Sequence, residues 1–141
     1  MKEVLAIIRM DKMNATKRAL ADAGISSMTA RKVMGRGQGK VDYLLMKGAE
    51  GGYEEAINQL GPGPKFLPKR MLTLVVPDDK TDTVVETIIS VNQTGNHGDG
   101  KIFIMPVMDT VRVRTGENGL DAVADDPMPI SKESNNVTAN N

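Results

Sequence analysis

Thr94-Gly95-Asn96-His97-Gly98-Asp99-Gly100-Lys101 gathers three glycines, one acid and one cation into a short turn. Glycines let backbone amides approach an anion without side-chain interference, and Lys101 adds a point charge at the mouth of the segment that follows. This is the chemistry of a phosphate cradle, although the turn lacks the Lys-Ser/Thr ending of a Walker loop and follows a helical segment instead of opening one. The same residues also read as a plain Gly-rich turn entering a strand, and the turn by itself leaves both readings open. Arg112 and Arg114 bear on the choice. Two apart on a strand, they share a face with origins about 7 Å apart, a separation suited to successive phosphates of a nucleotide. Such a pair alone is most often a solvated strand face. With Lys101 and the glycines in the same C-terminal segment, it points to two guanidiniums and an ammonium converging on a polyphosphate.

Other chemistries have less to work with. A phosphoryl or acyl-phosphate hydrolase built on the same basic cluster would need His97, the only histidine, as its base. A lone His in a Gly-rich turn is more often solvent-facing, and no nucleophile stands beside it in the sequence. A trimeric structural or metal-binding protein would have no need of the Lys101, Arg112 and Arg114 set. The chain has no cysteine, which excludes a disulfide framework, a thiolate metal site and cysteine catalysis. Eighteen Lys and Arg balance eighteen Asp and Glu, so overall charge argues for neither a nucleic acid nor an anionic membrane as partner. Two Phe, two Tyr and no Trp leave few platforms for stacking on single-stranded nucleic acid. The apolar run Val4 to Ile8 is too short for a signal peptide or a membrane span, so a cytoplasmic location is expected.

The elements that must position these groups follow from periodicity. Val4 to Ile8 reads as a strand covered on both faces. Asp11 can cap a helix over 12–23, with Met13, Thr16, Leu20 and Ala23 at helical spacing and Gly24 as its stop. Ser26 to Met34 reads as a strand, closed by Gly35-Arg36-Gly37-Gln38-Gly39-Lys40. A long connection rich in Gly and Pro then runs to Pro68, with a weak helical pattern over Tyr53 to Leu60; a connection of that length inside one domain is functional or disordered. Arg70 to Val76 is strand-like and is ended by Pro77. Asp78 and Asp79 offer caps for a helix over 80–92 that carries Val84, Val85, Ile88 and Val91 on one side. From Lys101 a last strand runs, past a break near Pro106, to Arg114. The order β-α-β, connection, β-α-β predicts an α+β, ferredoxin-like antiparallel sheet with both helices on one face. Beyond Gly116 the chain has five acids and one Lys, with Ser, Asn and Pro in place of aliphatics, and residues 118–141 are expected to form a disordered tail.

The residues also resemble the PII signal-transduction family. Thr94-Gly95 with Gly98-Asp99-Gly100-Lys101-Ile102-Phe103 is similar to its B-loop signature, and Val111-Arg112-Val113-Arg114-Thr115-Gly116-Glu117 to its C-terminal signature. Phe66-Leu67-Pro68-Lys69, Val75-Val76-Pro77-Asp78-Asp79, Lys47-Gly48-Ala49-Glu50 and Ala6-Ile7-Ile8 match as well, so the resemblance covers about residues 1–117. It implies a ferredoxin-like βαββαβ trimer with nucleotide held between subunits and a target-binding T-loop over about 36–66. It implies that Gly98, Asp99, Gly100, Lys101, Arg112 and Arg114 line the phosphates of ATP or ADP, with Gly37 in the same nucleotide set. Thr29 and Val75 would hold the adenine. Lys69 would pair with a carboxylate of 2-oxoglutarate, and Gln38 would share a magnesium ion with its keto-acid end.

Three positions depart from the family pattern. Met10 stands where Pro is usual, Gln38 is displaced by one position in Gly35-Arg36-Gly37-Gln38, and Gly51 replaces the Tyr that some members nucleotidylate, leaving Tyr53 as the nearby phenol. The long T-loop, its Gly-Arg-Gly base, the C-terminal extension, the start Met-Lys-Glu and Val91-Asn92-Gln93-Thr94 resemble the nitrogenase-associated branch of methanogens. That likeness implies a non-enzymatic regulator of the dinitrogenase component, as a homotrimer or mixed with a PII paralogue. The alternative is a general PII regulator of an ammonium transporter or glutamine synthetase.

Overall fold

The structure is a computed structural model and describes residues 1–37 and 66–124. Strand β1 (Lys2–Arg9) leads through a 3-10 turn (Met10–Lys12) into helix α1 (Met13–Asp22). Strands β2 (Thr29–Gly35) and β3 (Leu67–Val76) follow, then a second 3-10 turn (Asp78–Lys80), helix α2 (Thr81–Asn92), strand β4 (Lys101–Pro106) and a single helical turn, α3 (Leu120–Val123). The sheet order is β2-β3-β1-β4 and every neighbouring pair is antiparallel, which is the ferredoxin-like arrangement expected from the order of elements.

One face of the sheet makes the core. Val4, Ala6 and Ile8 alternate along β1 opposite Leu74, Leu72 and Arg70 of β3, and the apolar members of this set bury against Met13 and Leu20 of α1 and Val84 and Ile88 of α2. Alternation then places Leu5, Ile7, Met71, Thr73, Val75, Phe103 and Met105 on the other face. No helix among the described residues covers that side, and Phe103 stays 46% exposed there. The expectation that β1 is covered on both faces therefore fails within a single chain.

Both helices begin without the carboxylate caps read from the sequence. Asp11 and Asp78 fall inside the 3-10 turns that precede the helices, and neither helix has a side-chain cap bond. Asp78 instead binds the amino terminus of Met1 at 3.0 Å and Lys2 at 3.6 Å, so it ties the start of β1 to the start of α2. Its exit from α1 is as expected: Gly24, at φ +89°, lets the Ile25 amide reach back to the Leu20 carbonyl (2.9 Å) while Ile25 enters the core.

The last strand is shorter than expected. It stops at Pro106, which cannot donate to the ladder, and residues 107–118 leave the sheet. They fold back as a tight turn in which Val111 bridges Asn118 and the Gly116 amide donates to the Arg112 carbonyl at 2.7 Å. Residues 119–124, at the start of the expected tail, continue it as a helical turn; residues 125–141 lie outside the described residues, as do Gln38, Gly51, Tyr53 and the Tyr53 to Leu60 pattern.

The two helices are pinned together by one buried polar contact. Asn92 donates to the Thr16 hydroxyl (3.0 Å) and to the Ile88 carbonyl (2.9 Å), and Thr16 donates to the Lys12 carbonyl (2.7 Å). Thr16→Val keeps the shape but removes the bridge between helices, and a loss of about 1 to 2 kcal/mol is expected in urea unfolding.

Candidate functional site

α2 ends at Asn92 and the chain must turn back to enter β4, which the Gly-rich segment does around a single carboxylate. Asp99 accepts from the Thr94 amide (2.7 Å), the Gly95 amide (2.9 Å), the Thr94 hydroxyl and the Arg9 guanidinium (2.7 Å). Partial burial alone would raise its pKa, but these donors outweigh it and hold the Asp99 carboxyl well below the usual carboxylate range. Asp99 thus faces inward and shapes the turn, while the glycines on either side of it present backbone.

Two cations of the sheet seat the turn. Arg9 and Lys69 lie directly opposite each other at the ends of β1 and β3, and both are buried, at 4% and 9% exposed. Arg9 binds Asp99 through one nitrogen and the His97 carbonyl through the other (2.9 Å), and the Lys69 ammonium donates to the Gly98 carbonyl (3.2 Å). Gly100 then passes against β1 at φ +119°, where an added Cβ would stand 2.0 Å from the Ile7 carbonyl oxygen. Lys101 follows as the exposed first residue of β4.

The turn therefore depends on an ionised Asp99, which gives a pH prediction. A depressed folded pKa contributes stability that is fully present above the unfolded value of about 3.9 and is lost as pH falls below it. Asp99→Asn is expected to cost stability at pH 7, with the gap to the native chain narrowing at pH 3, as read by urea unfolding at the two pH values.

The expected site residues fall into three places. Gly98, Gly100 and Lys101 stand together at one end of the sheet, with Lys69 beside them and Gly37 just past the end of β2, whose Gly35 pairs with Leu67. Thr29 pairs with Thr73 on the open face, one alternation from Val75. Arg112 and Arg114 are not on a strand and do not meet Lys101 within the chain: β4 carries the backbone from Ile7 at one end of β1 to Lys2 at the other, about 17 Å for five residue steps. The convergence read from the sequence is thus corrected for a single chain. The Arg112 amide instead bonds the Glu117 carbonyl (2.8 Å) in the turn.

Arg9 was missed. A charged residue that ends an apolar run opposite Lys69 needs a counter-anion when buried, and that was the available signal. The imidazole of His97 is exposed and has no hydrogen-bond partner among the described residues, so no base and nucleophile pair is assembled around it. Arg36 stacks on Phe66 at 5.6 Å, closing the two ends of the long connection next to Lys69.

A ferredoxin-like sheet bearing a glycine-lined, cation-seated turn at its edge and a long connection between β2 and β3 defines a small α+β domain. The model of the family "Nitrogen regulatory protein P-II" matches residues 1–117. A nifHD-region GlnB-like protein 2 of Methanobacterium ivanovii is 45% identical over 128 residues, covering 87% of this chain and 99% of that protein. Its counterpart in Methanococcus maripaludis is 46% identical over 123 residues (87% and 100%), and nitrogen regulatory protein P-II 1 of Escherichia coli K12 is 44% identical over 117 residues (83% and 95%). Among solved structures, Arabidopsis thaliana PII bound to citrate superposes with a TM-score of 0.65 at 31% identity, covering 90% of this chain and 93% of that one. The chain belongs to the PII family of nitrogen regulatory proteins, on the branch of the nifHD-region GlnB-like proteins. Proteins of this family form trimers and regulate target proteins. No helix among the described residues is long and apolar enough to cross a membrane.

Proposed function

We propose that this chain is a cytoplasmic sensor that binds ATP or ADP and 2-oxoglutarate and regulates the dinitrogenase component of nitrogenase through its T-loop. The observation that carries the reading is the Lys69 to Gly98 contact. It ties the returning end of the T-loop connection to the glycine turn, so an anion received at the turn changes what holds the loop's base. A ligand shifts the loop only by binding its states with different affinity, and Lys69 is placed to supply that difference.

The nucleotide site spans two copies of the chain. The turn with Gly98, Gly100 and Lys101 lies at one end of β4 and the Arg112, Arg114 turn at the other, so a neighbouring subunit's arginines complete the phosphate set. Two features support this assembly. The open sheet face carries Leu5, Ile7, Met71 and Phe103, and the C-terminal turn leaves Val113 99% and Met108 100% exposed, apolar surface that a trimer would cover. Thr29 and Val75, on that face, remain the adenine contacts, and Gly37 lies at the loop's start. Asp99 supports the phosphates indirectly, through the shape of the turn.

A magnesium ion would supply positive charge to offset the negative charge of the phosphates and the keto acid. Gln38, the residue expected to share it, lies outside the described residues, and among the described residues no three His, Asp or Glu side chains cluster to hold a metal by themselves. Lys69, held at the Gly98 carbonyl, is the cation that would pair with a 2-oxoglutarate carboxylate.

Calorimetry tests the reading. ATP is expected to bind the native chain, 2-oxoglutarate to bind only once ATP and magnesium are present, and Lys101→Ala or Arg114→Ala to weaken ATP at least about tenfold. An intact trimer that takes up no ATP would refute the sensor. The general nitrogen-control reading supplies a second target class. Binding to an ammonium transporter or glutamine synthetase, with none to dinitrogenase, would replace nitrogenase in the proposal.

A further inference from the structure

The guanidinium of Arg112 is gripped by its own chain. Its Nη2 donates to the carbonyls of Ala124 (2.7 Å), Asp121 (3.2 Å) and Ala122 (3.4 Å), and its Nη1 stands 3.5 Å from the Glu117 carboxylate. These are carbonyls of the kind a helix leaves open at its C-terminal end, where partial negative charge suits a cation. α3 is a single turn of four residues, far below the length at which a helix is stable by itself. Its backbone bonds are the Ala122 and Val123 amides to Gly119 and the Ala124 amide to Leu120, so Arg112 contributes much of what keeps it wound.

The same guanidinium is one of the phosphate ligands proposed above, and the inference rests on that reading. Backbone carbonyls are neutral acceptors, whereas a polyphosphate is anionic and accepts from a guanidinium about twice as strongly. One Nη2 edge cannot serve both. We propose that α3 is a strap that competes with the nucleotide for Arg112. With the phosphate site empty, Arg112 clamps the C-terminal turn; when phosphate takes Arg112, the turn unwinds and residues 119–124 come free. Nucleotide occupancy is thereby reported at the C-terminus as well as at the T-loop. Glu117 reinforces the closed state, because its carboxylate, steadied by the Thr115 hydroxyl at 2.8 Å, stands where it repels an incoming phosphate.

The absence of cysteine makes the test clean. Asp121→Cys, whose backbone carbonyl is retained, carries one nitroxide label on the full chain. Saturating ATP with magnesium is expected to turn its electron paramagnetic resonance spectrum from slow to fast tumbling, and Arg112→Gln to give the fast spectrum without ATP. Ala124→Pro removes the amide that bonds Leu120 and crowds that carbonyl, so it is expected to bind ATP about fivefold more tightly. If ATP binds in calorimetry but the label does not change, the strap is overturned and the nucleotide site stands. If ATP does not bind at all, the nucleotide reading fails and the strap fails with it. Should Ala124→Pro not fold, a slow spectrum in unliganded Arg112→Gln is enough to overturn the strap.

Discussion

Gly100→Ala is expected to cost about 3 kcal/mol or more in urea unfolding and to abolish ATP binding in calorimetry. Two penalties act at this residue. The backbone is at φ +119°, which an L side chain tolerates poorly, and the added carbon would stand 2.0 Å from the Ile7 carbonyl oxygen. A contact that short against backbone cannot be relieved by a rotamer change, so either β4 pulls away from β1 or the turn is displaced. The first outcome breaks the ladder in which Lys101 pairs with Ile7, and the second shifts Lys101 and moves the Gly98 carbonyl off the Lys69 ammonium. Gly95→Ala is the control. It shares a positive φ of +88° but meets nothing within 4 Å, so it should lose only about 1 kcal/mol. Equal losses in the two variants would show that the close approach to β1 is not what makes Gly100 necessary.

Arg9→Met is expected to cost about 3 kcal/mol and to weaken ATP at least about tenfold. Arg9 is 4% exposed and its two nitrogens hold an anion and a carbonyl of the same turn, at 2.7 and 2.9 Å. Removing the cation leaves Asp99 with neutral donors only and leaves the His97 carbonyl without this donor. Arg9→Lys keeps the charge but not the fork, so it should recover part of the stability and little of the binding. If Arg9→Lys binds ATP like the native chain, the two-pronged seat is not required.

Much of the fold could be read along the chain because its determinants are local. The apolar run Val4 to Ile8 names a strand without naming its buried side, whereas the set Leu72, Leu74 and Val76 and the helical spacing of Val84 and Ile88 each name an element and the side it buries. Gly24 ends α1 for a conformational reason intrinsic to glycine. The C-terminal segment shows where that logic stops. Val111-Arg112-Val113-Arg114 alternates like a strand, but a strand needs a partner edge, and among the described residues only the single bridge from Val111 to Asn118 forms here. Glycines 116 and 119, at φ +78° and +67°, and the side chain of Asp109, which accepts from Thr110 and Gly119, turn the segment back instead. Asp11 and Asp78 look like helix caps for the same local reason, yet Asp78 is drawn to the amino terminus of Met1 by a contact that exists only once β1 and α2 are side by side.

The sequence by itself therefore determined the family signatures, the ferredoxin-like order of elements and the presence of a glycine-rich turn before the last strand. Each of these follows from residue types over short spans, where propensity and period act. Only the tertiary structure decided that Arg9 and Lys69 face each other beneath the turn, that Asp99 points inward, and that Lys101 and the arginine turn lie at opposite ends of β4. Those facts depend on strand register and chain reversal, which bring together residues ninety or more positions apart and which no local pattern encodes.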